Sequence, residues 1–274
     1  MFEGKYFLFT LEKGIGVLTL NRPPFNIFEA GFYTELGEVE EFIEKQEGIR
    51  CVIINANGKC FSAGIDLNYL QNVTSQYVLD HLPWLQKIYG FWQEQNYPVI
   101  AAVQGLCVGS GLEFILGADI RIAAEDARFG LPEVQLGLSA DMGGTARLTR
   151  LVGIGQAKRL ALTGEQIDAA EAKAIGLVEV VVPLEELNER AMKMAKGIAR
   201  SPEAAVRFVK KGINATDEGG LRAGQMFEQA QSTYCCGTED LKNGIKAYMA
   251  MMAAKSKAKA EQAAAEDVLS KGEF

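Results

Sequence analysis

The sequence predicts an α/β core followed by a helical C-terminal region. Three observations carry this reading. Short β-prone runs alternate with segments of helical spacing through the first part of the chain. From Leu184 onward the pattern is helical almost to the end, and neither an internal repeat nor a Pro/Gly-rich linker interrupts the 274 residues. A chain of that length can bury a large core, either as one large domain or as a domain with a helical appendage.

The elements come in order. Tyr6 to Leu11 and Gly16 to Leu20 are β-prone and flank Glu12-Lys13-Gly14, the pattern of a hairpin. Asn21-Arg22-Pro23-Pro24 stops the second strand, because proline removes an amide donor and constrains its neighbour. Phe32, Leu36, Val39, Phe42 and Ile43 share one face of an amphipathic helix. Cys51 to Asn55 and Pro98 to Val103 read as buried strands, and a helix around Gly111 to Leu116 leads to a third at Ile120 to Ala123. Leu177 to Val182 reads as the last strand. Pro202 suits the first turn of a new helix, with Ser201 as its cap. Ala253 to Glu266, rich in Ala, Lys and Glu, reads as a solvated helix end.

Composition narrows the function. Hydrophobic residues make up 48% and charged residues 23%, the balance of a folded globular protein. A formal charge of −7 argues against nucleic acid as a partner, since phosphate binding draws on clustered Lys and Arg. Anionic small molecules stay open, because a few local donors outweigh global charge at close range. The five cysteines, Cys51, Cys60, Cys107, Cys235 and Cys236, are odd in number and scattered, which suggests free thiols in a reducing compartment. With a single histidine, His81, and no Cys-x-x-Cys pair, no metal site is expected. No signal peptide and no membrane-length apolar stretch is evident, so a cytoplasmic location without membrane association is expected.

Several glycine clusters fail as motifs. Gly109-Ser110-Gly111 has Phe114, and Gly153-Ile154-Gly155 has Lys158, where a dinucleotide fingerprint needs a third glycine. Gly105-Leu106-Cys107-Val108-Gly109 has the outline of a nucleophile elbow, but that arrangement needs a histidine downstream and His81 lies upstream. Cys107 therefore reads as a small core residue, and His81 as a surface or packing residue.

Acid–base chemistry then falls to carboxylates. Cys60-Phe61-Ser62-Ala63-Gly64-Ile65-Asp66-Leu67 and Gly105-Leu106-Cys107-Val108-Gly109-Ser110-Gly111-Leu112-Glu113 each follow a buried strand with small residues, where backbone can approach a ligand closely. The second opens a helix, whose first amides are unpaired and suit an anion. Together with Phe129-Gly130-Leu131-Pro132-Glu133, Gly143-Gly144-Thr145, Leu162-Thr163-Gly164 and Ala172-x-x-x-Gly176-Leu177-Val178, these segments resemble the signatures of the crotonase (enoyl-CoA hydratase/isomerase) family. The resemblance runs from about Tyr6 to about Ala250.

That resemblance implies a spiral of ββα units over residues 1–200, a helical trimerisation region over 201–255 and a charged helical tail over 256–274. It implies a homotrimer or homohexamer acting on an acyl-CoA thioester in fatty acid β-oxidation, with no cofactor beyond the coenzyme A of the substrate. The amides of Ile65 and Ser110 would form an oxyanion hole for the thioester oxygen, with Ser110 replacing a glycine often found there. Ala63, Gly64, Asp66 and Gly109 would line the coenzyme A path. Glu113 and Glu133 match the glutamate pair of members that hydrate enoyl thioesters, one taking a proton from water while the other supplies C2.

Asp141 opens a second reading. The dienoyl-CoA isomerase branch carries an aspartate eight residues after the glutamate, the separation of Glu133 and Asp141 here, and Leu138-Ser139-Ala140-Asp141 leans the same way. Glu113, where that branch has aspartate, and Pro132-Glu133 with Gly143-Gly144-Thr145 lean toward hydration, which is the preferred reading. The structural alternative for Asp141 is a cap on the helix beginning near Gly144. A third possibility is a non-catalytic binding protein of the same fold.

Overall fold

The computed structural model describes residues 1–271. Strand β1 (Phe2–Glu3) precedes the expected hairpin of β2 (Phe7–Glu12) and β3 (Ile15–Leu20), whose turn residues Lys13 and Gly14 both take positive φ. Such a turn matches the twist of the strands it joins. Helix α1 (Ala30–Glu44) buries Phe32, Tyr33, Leu36, Val39, Glu40 and Ile43. Then come β4 (Cys51–Ala56), α2 (Leu67–Leu70), α3 (Ser75–Glu94), β5 (Val99–Val103), β6 (Leu106–Val108), α4 (Ser110–Ile115), β7 (Ile120–Ala124) and β8 (Arg128–Gly130). A 3₁₀ turn over Pro132–Leu136 leads to α5 (Gly144–Thr163), β9 (Gln166–Asp168), α6 (Ala169–Ala174), β10 (Val180–Val182) and α7 (Leu187–Ala199).

The seven-stranded sheet runs β1-β2-β3-β4-β5-β7-β10, antiparallel up to β3 and parallel beyond it. Side chains alternate between its faces. Cys51, Ile53, Ile100, Ala102 and Ile122 pack with Leu187, Ala191 and Ala195 of α7, whereas Val52, Ile54, Val99, Ala101 and Val103 face the larger core with α1, α3 and α4. A smaller sheet, β6-β8-β9, lies off this one. β5-β6-α4 and β7-β8-α5 therefore trace the same path, one strand in each sheet and then a helix. The units repeat in path without repeating in sequence.

The last strand is shorter than expected. Leu177 and Val178 send their amides to the Ala172 carbonyl at the end of α6, so laddering starts only at Val180. Arg121, 2% exposed, ties β7 to the segment between α6 and β10. Its Nε and Nη1 donate to the carbonyls of Leu177 and Ala118, and its Nη2 and backbone amide donate to the Glu179 carboxylate.

The chain divides into two compact units, Met1–Arg207 and the residues from Phe208 onward. The division falls inside α8 (Glu203–Cys236) rather than at residue 200. Pro202, not Ser201, takes the cap position of α8, since the Pro202 carbonyl accepts the Val206 amide. In the second unit Phe208 meets Phe227 and Tyr234 edge-on, at 6.1 and 5.3 Å between ring centroids. Helix α9 (Glu239–Lys271) runs through residue 256 without a break, and residues 272–274 of the expected tail lie outside the described residues. No helix among the described residues is long and apolar enough to cross a membrane.

Candidate active site

The first of the two small-residue segments leaves β4 and is pinned by Ser62, fully buried. The Ser62 amide donates to the Leu106 carbonyl at 2.9 Å, and its hydroxyl donates to the Asn26 carbonyl at 2.8 Å and accepts from the Gly64 amide. Residues 28 and 65 then pair as a short parallel bridge: Phe28 donates to the Gly64 carbonyl, and Asp66 donates back to the Phe28 carbonyl. Alternation leaves the Ile65 amide between them pointing the other way, with no acceptor among the described residues.

The second segment arrives from β6. Gly109, at φ +54° and ψ −130°, caps α4, a conformation costly for any other residue. Its amide bonds to the Gly130 carbonyl, and its carbonyl accepts the Glu113 amide. Ser110 is the first helical residue, so its amide has no acceptor one turn back. The segments touch: a methyl on Gly64 would lie 3.0 Å from the Val108 carbonyl oxygen and 3.7 Å from the Ser110 nitrogen. Two unpaired amides are thus brought together from two loops.

One turn into α4, Glu113 is 1% exposed, and its Oε1 accepts the amides of Met142 and Gly144, each at 2.9 Å. Burial pushes its carboxyl up to about 8, and the nearby Glu133 adds to the rise against the pull of the two amides. Glu133, on the 3₁₀ turn, is also raised, first by burial and then by Asp141. Its Oε1 would lie 2.9 Å from a methyl on Gly109, and its buried Oε2 makes no hydrogen bond among the described residues. Arg147 steadies the loop that feeds Glu113, donating to the Met142 carbonyl and to Gln93.

All of this opens on one cleft of about 360 Å³. Ala63, Gly64, Ile65, Gly109, Ser110, Glu113, Glu133 and Asp141 all lie on it, so the structure brings together every predicted site residue but one. The exception is Asp66. It does not line the cleft; its carboxylate accepts the amides of Asn68 and Tyr69 and caps α2. The Asp-x-x pattern before a short helix is the signal that could have revealed this. Asp141 does not cap α5, whose cap is Gly143 without any side-chain bond. It sits instead on an exposed rim where Gln86 binds its carbonyl, and partial burial raises its carboxyl.

Sequence reasoning missed the opposite wall. Leu70 of α2, Val73 from the turn that follows it, and Val78, Leu82 and Leu85 of α3 make it apolar, and Tyr69 and Tyr77 line it, with Tyr33 of α1 nearby on the same cleft. Tyr69 donates to the Tyr77 hydroxyl at 2.8 Å, and Tyr77 stacks on His81 at 4.0 Å, which gives His81 a packing role. Cys107 is fully buried, and burial raises its thiol, as befits a core residue rather than a nucleophile. All five cysteines are free.

Comparison with known proteins finds relatives over most of the chain. The enoyl-CoA hydratase/isomerase family model matches residues 10–259. A probable mitochondrial enoyl-CoA hydratase of Dictyostelium discoideum is 36% identical over 247 residues, covering 88% of this chain and 87% of the relative. A crotonyl-CoA hydratase of Syntrophomonas wolfei is 35% identical over 240 residues, covering 87% and 92%. Among solved structures, an enoyl-CoA hydratase from Bacillus anthracis superposes with a TM-score of 0.84 at 33% identity, covering 90% of this chain and 96% of that one.

Proposed function

This chain belongs to the enoyl-CoA hydratase/isomerase family, and we infer that it adds water reversibly across the double bond of a 2-enoyl-CoA thioester. The observation that carries the reading is a pair of desolvated carboxyls, Glu113 and Glu133, on one cleft with two unpaired amides.

The thioester oxygen sits between the amides of Ile65 and Ser110, which take up the negative charge that develops as the enolate forms. One such donor contributes about 3 kcal/mol in the transition state. Coenzyme A passes Ala63, Gly64 and Gly109, and the acyl chain lies along the apolar wall of α2 and α3. Burial and the nearby Glu133 raise the proton affinity of Glu113, so Glu113 keeps its proton near neutrality. The ionised carboxylate takes a proton from water as the water oxygen bonds to C3. The protonated carboxyl delivers its proton to C2. One water is added, and the pair ends with as many protons as it began.

Incubation with crotonyl-CoA and, separately, a 3,5-dienoyl-CoA tests this. Loss of enoyl absorbance with the first substrate and no shift with the second is expected; the converse would assign isomerisation. Asp141 on the same cleft is the observation behind that second reading, since moving a double bond along a diene needs acids at two separated carbons. A binding-only protein has no use for two desolvated carboxyls opposite an anion site.

The assembly we propose is a trimer or a dimer of trimers. Leu221, Met226, Tyr234, Ile245, Tyr248 and Met249 of the second unit are each more than half exposed in the single chain, an apolar surface that calls for a covering partner. Light scattering should give at least three chains per particle, and a stable monomer at micromolar concentration would refute it.

A further inference from the structure

Tyr33 stands on the first turn of α1, on the buried face, 2% exposed. It lines the cleft with Ser110 and Glu113. Its ring is fixed from three sides, by Phe28, Tyr69 and Tyr89 at centroid distances of 6.3, 6.3 and 6.4 Å. Phe28 is the residue bridged to Ile65, and both Phe28 and Tyr89 pack edge-on against Phe114, the neighbour of Glu113. The Tyr33 ring is therefore clamped between the loop that carries one oxyanion amide and the helix that carries the other amide and an acid.

Its hydroxyl nevertheless makes no hydrogen bond among the described residues. The side chains of Ser110 and Tyr89 come near enough to act on it, yet neither closes a bond with it. Tyr69 and Tyr77, farther along the same wall, satisfy each other. A buried hydroxyl without a partner is costly, and a phenylalanine would fill the same space without that cost. Burial keeps the phenol protonated at every physiological pH, and the proximity of Glu113 works in the same direction. The group is thus a fixed, buried O–H donor on a residue that lines the cleft beside Ser110 and Glu113.

We propose that the Tyr33 hydroxyl positions the oxygen added at C3, holding the attacking water and then the oxygen of the 3-hydroxyacyl product. This rests on the hydratase reading, in which one carboxylate of the Glu113–Glu133 pair takes a proton from that water. The Tyr33 hydroxyl supplies a donor that the two carboxyls cannot both supply, because one of them is ionised. It transfers no proton; it fixes the water lone pair toward C3 while an ionised carboxylate accepts the water proton.

The test is Tyr33→Phe, read three ways. Thermal melting should leave Tm equal to or above wild type, since the removed hydroxyl has no protein partner. With crotonyl-CoA, kcat should fall about tenfold or more with KM little changed, the signature of a contact made to reacting atoms. Calorimetric titration separates position from packing. 3-Oxobutanoyl-CoA places an oxygen at C3, and its affinity should weaken about tenfold, whereas butanoyl-CoA, lacking that oxygen, should bind within about twofold of wild type. Equal weakening of both ligands, or no weakening of either, would overturn the proposal. The titrations need no turnover, so wild-type protein that leaves crotonyl-CoA unchanged would refute the hydratase reading while the ligand pair still judged Tyr33.

Discussion

Two buried glutamates in the first unit make an instructive contrast. Glu113 is 1% exposed and Glu40 is 4% exposed, and burial raises the carboxyl of each. Glu113 is met by two backbone amides and borders a cleft that it shares with a second acid and two unpaired donors. Glu40 faces into the packed side of α1, off the cleft, with its Oε1 unbonded among the described residues and Glu44 adding like charge. A displaced proton affinity alone is therefore no mark of a catalytic group. The difference lies in the surroundings of each one. Glu113 has two amide donors and a space for substrate; Glu40 is off the cleft, and among its charged neighbours Lys87 favours its charge while Glu44 opposes it.

The contrast breaks if the two residues respond alike to loss of charge. Glu113→Gln or Glu133→Gln should lower turnover by about a hundredfold or more while leaving coenzyme A binding intact, as loss of a positioned acid or base does. If stopped assays show near-wild-type rates for both variants, the pair is not the proton relay. A pH profile sharpens the same point. Turnover needs one proton on the pair, so the rate should fall as pH rises through about 8, where the Glu113 carboxyl ionises. That alkaline limb should be missing from a Glu113→Gln variant's residual rate.

Asp141 sits between the two cases, on the cleft but at an exposed rim. Asp141→Asn should leave hydration within about tenfold, acting through field and shape alone. Should the wild type isomerise a 3,5-dienoyl-CoA and the variant lose that activity by about a hundredfold, Asp141 would join the acids proper. The smallest effect is expected at Glu40. Glu40→Gln should leave kcat and KM unchanged and alter only stability. A carboxyl whose folded proton affinity is raised contributes stability that is complete below its unfolded pKa and lost as pH rises through the folded one. The variant should therefore gain Tm over wild type at about pH 9 and lose that advantage toward about pH 5. Equal melting curves at both pH values would show that Glu40 carries no such linkage.

Much of this was legible in the sequence, for identifiable reasons. β4 and β5 are continuous apolar runs and α1 has a clean helical stripe, so the large sheet and its first cover could be read directly. The small sheet could not, because β6, β8 and β9 have three residues each, too few for alternation to show. Glu113 and Glu133 were readable as a pair through the motifs around them, since neither carries a local signal of its own. The cap that Asp66 makes on α2 did not show in the motif, because a motif gives position without saying which way a carboxylate turns. Tyr33 was invisible for a deeper reason. It occupies an apolar face beside Phe32, and only the three-dimensional arrangement shows that the residue lines a cleft built from residues far along the chain, from Ala63 to Asp141.

Arg121 has a consequence for how the molecule comes into being. Its guanidinium lies in the core beside β7, yet the Leu177 carbonyl and Glu179 carboxylate that neutralise and saturate it stand 56 and 58 residues later. During synthesis, β7 is complete long before its counter-charge has been made. A nascent chain halted before residue 179 must either keep β7 open to water or bury a bare cation, and burying an unpaired charge is prohibitive. The buried state of β7 therefore depends on a segment that closes onto it from far along the chain, and a fragment ending before Glu179 should be less stable by several kcal/mol, which denaturant melts of the two lengths would measure.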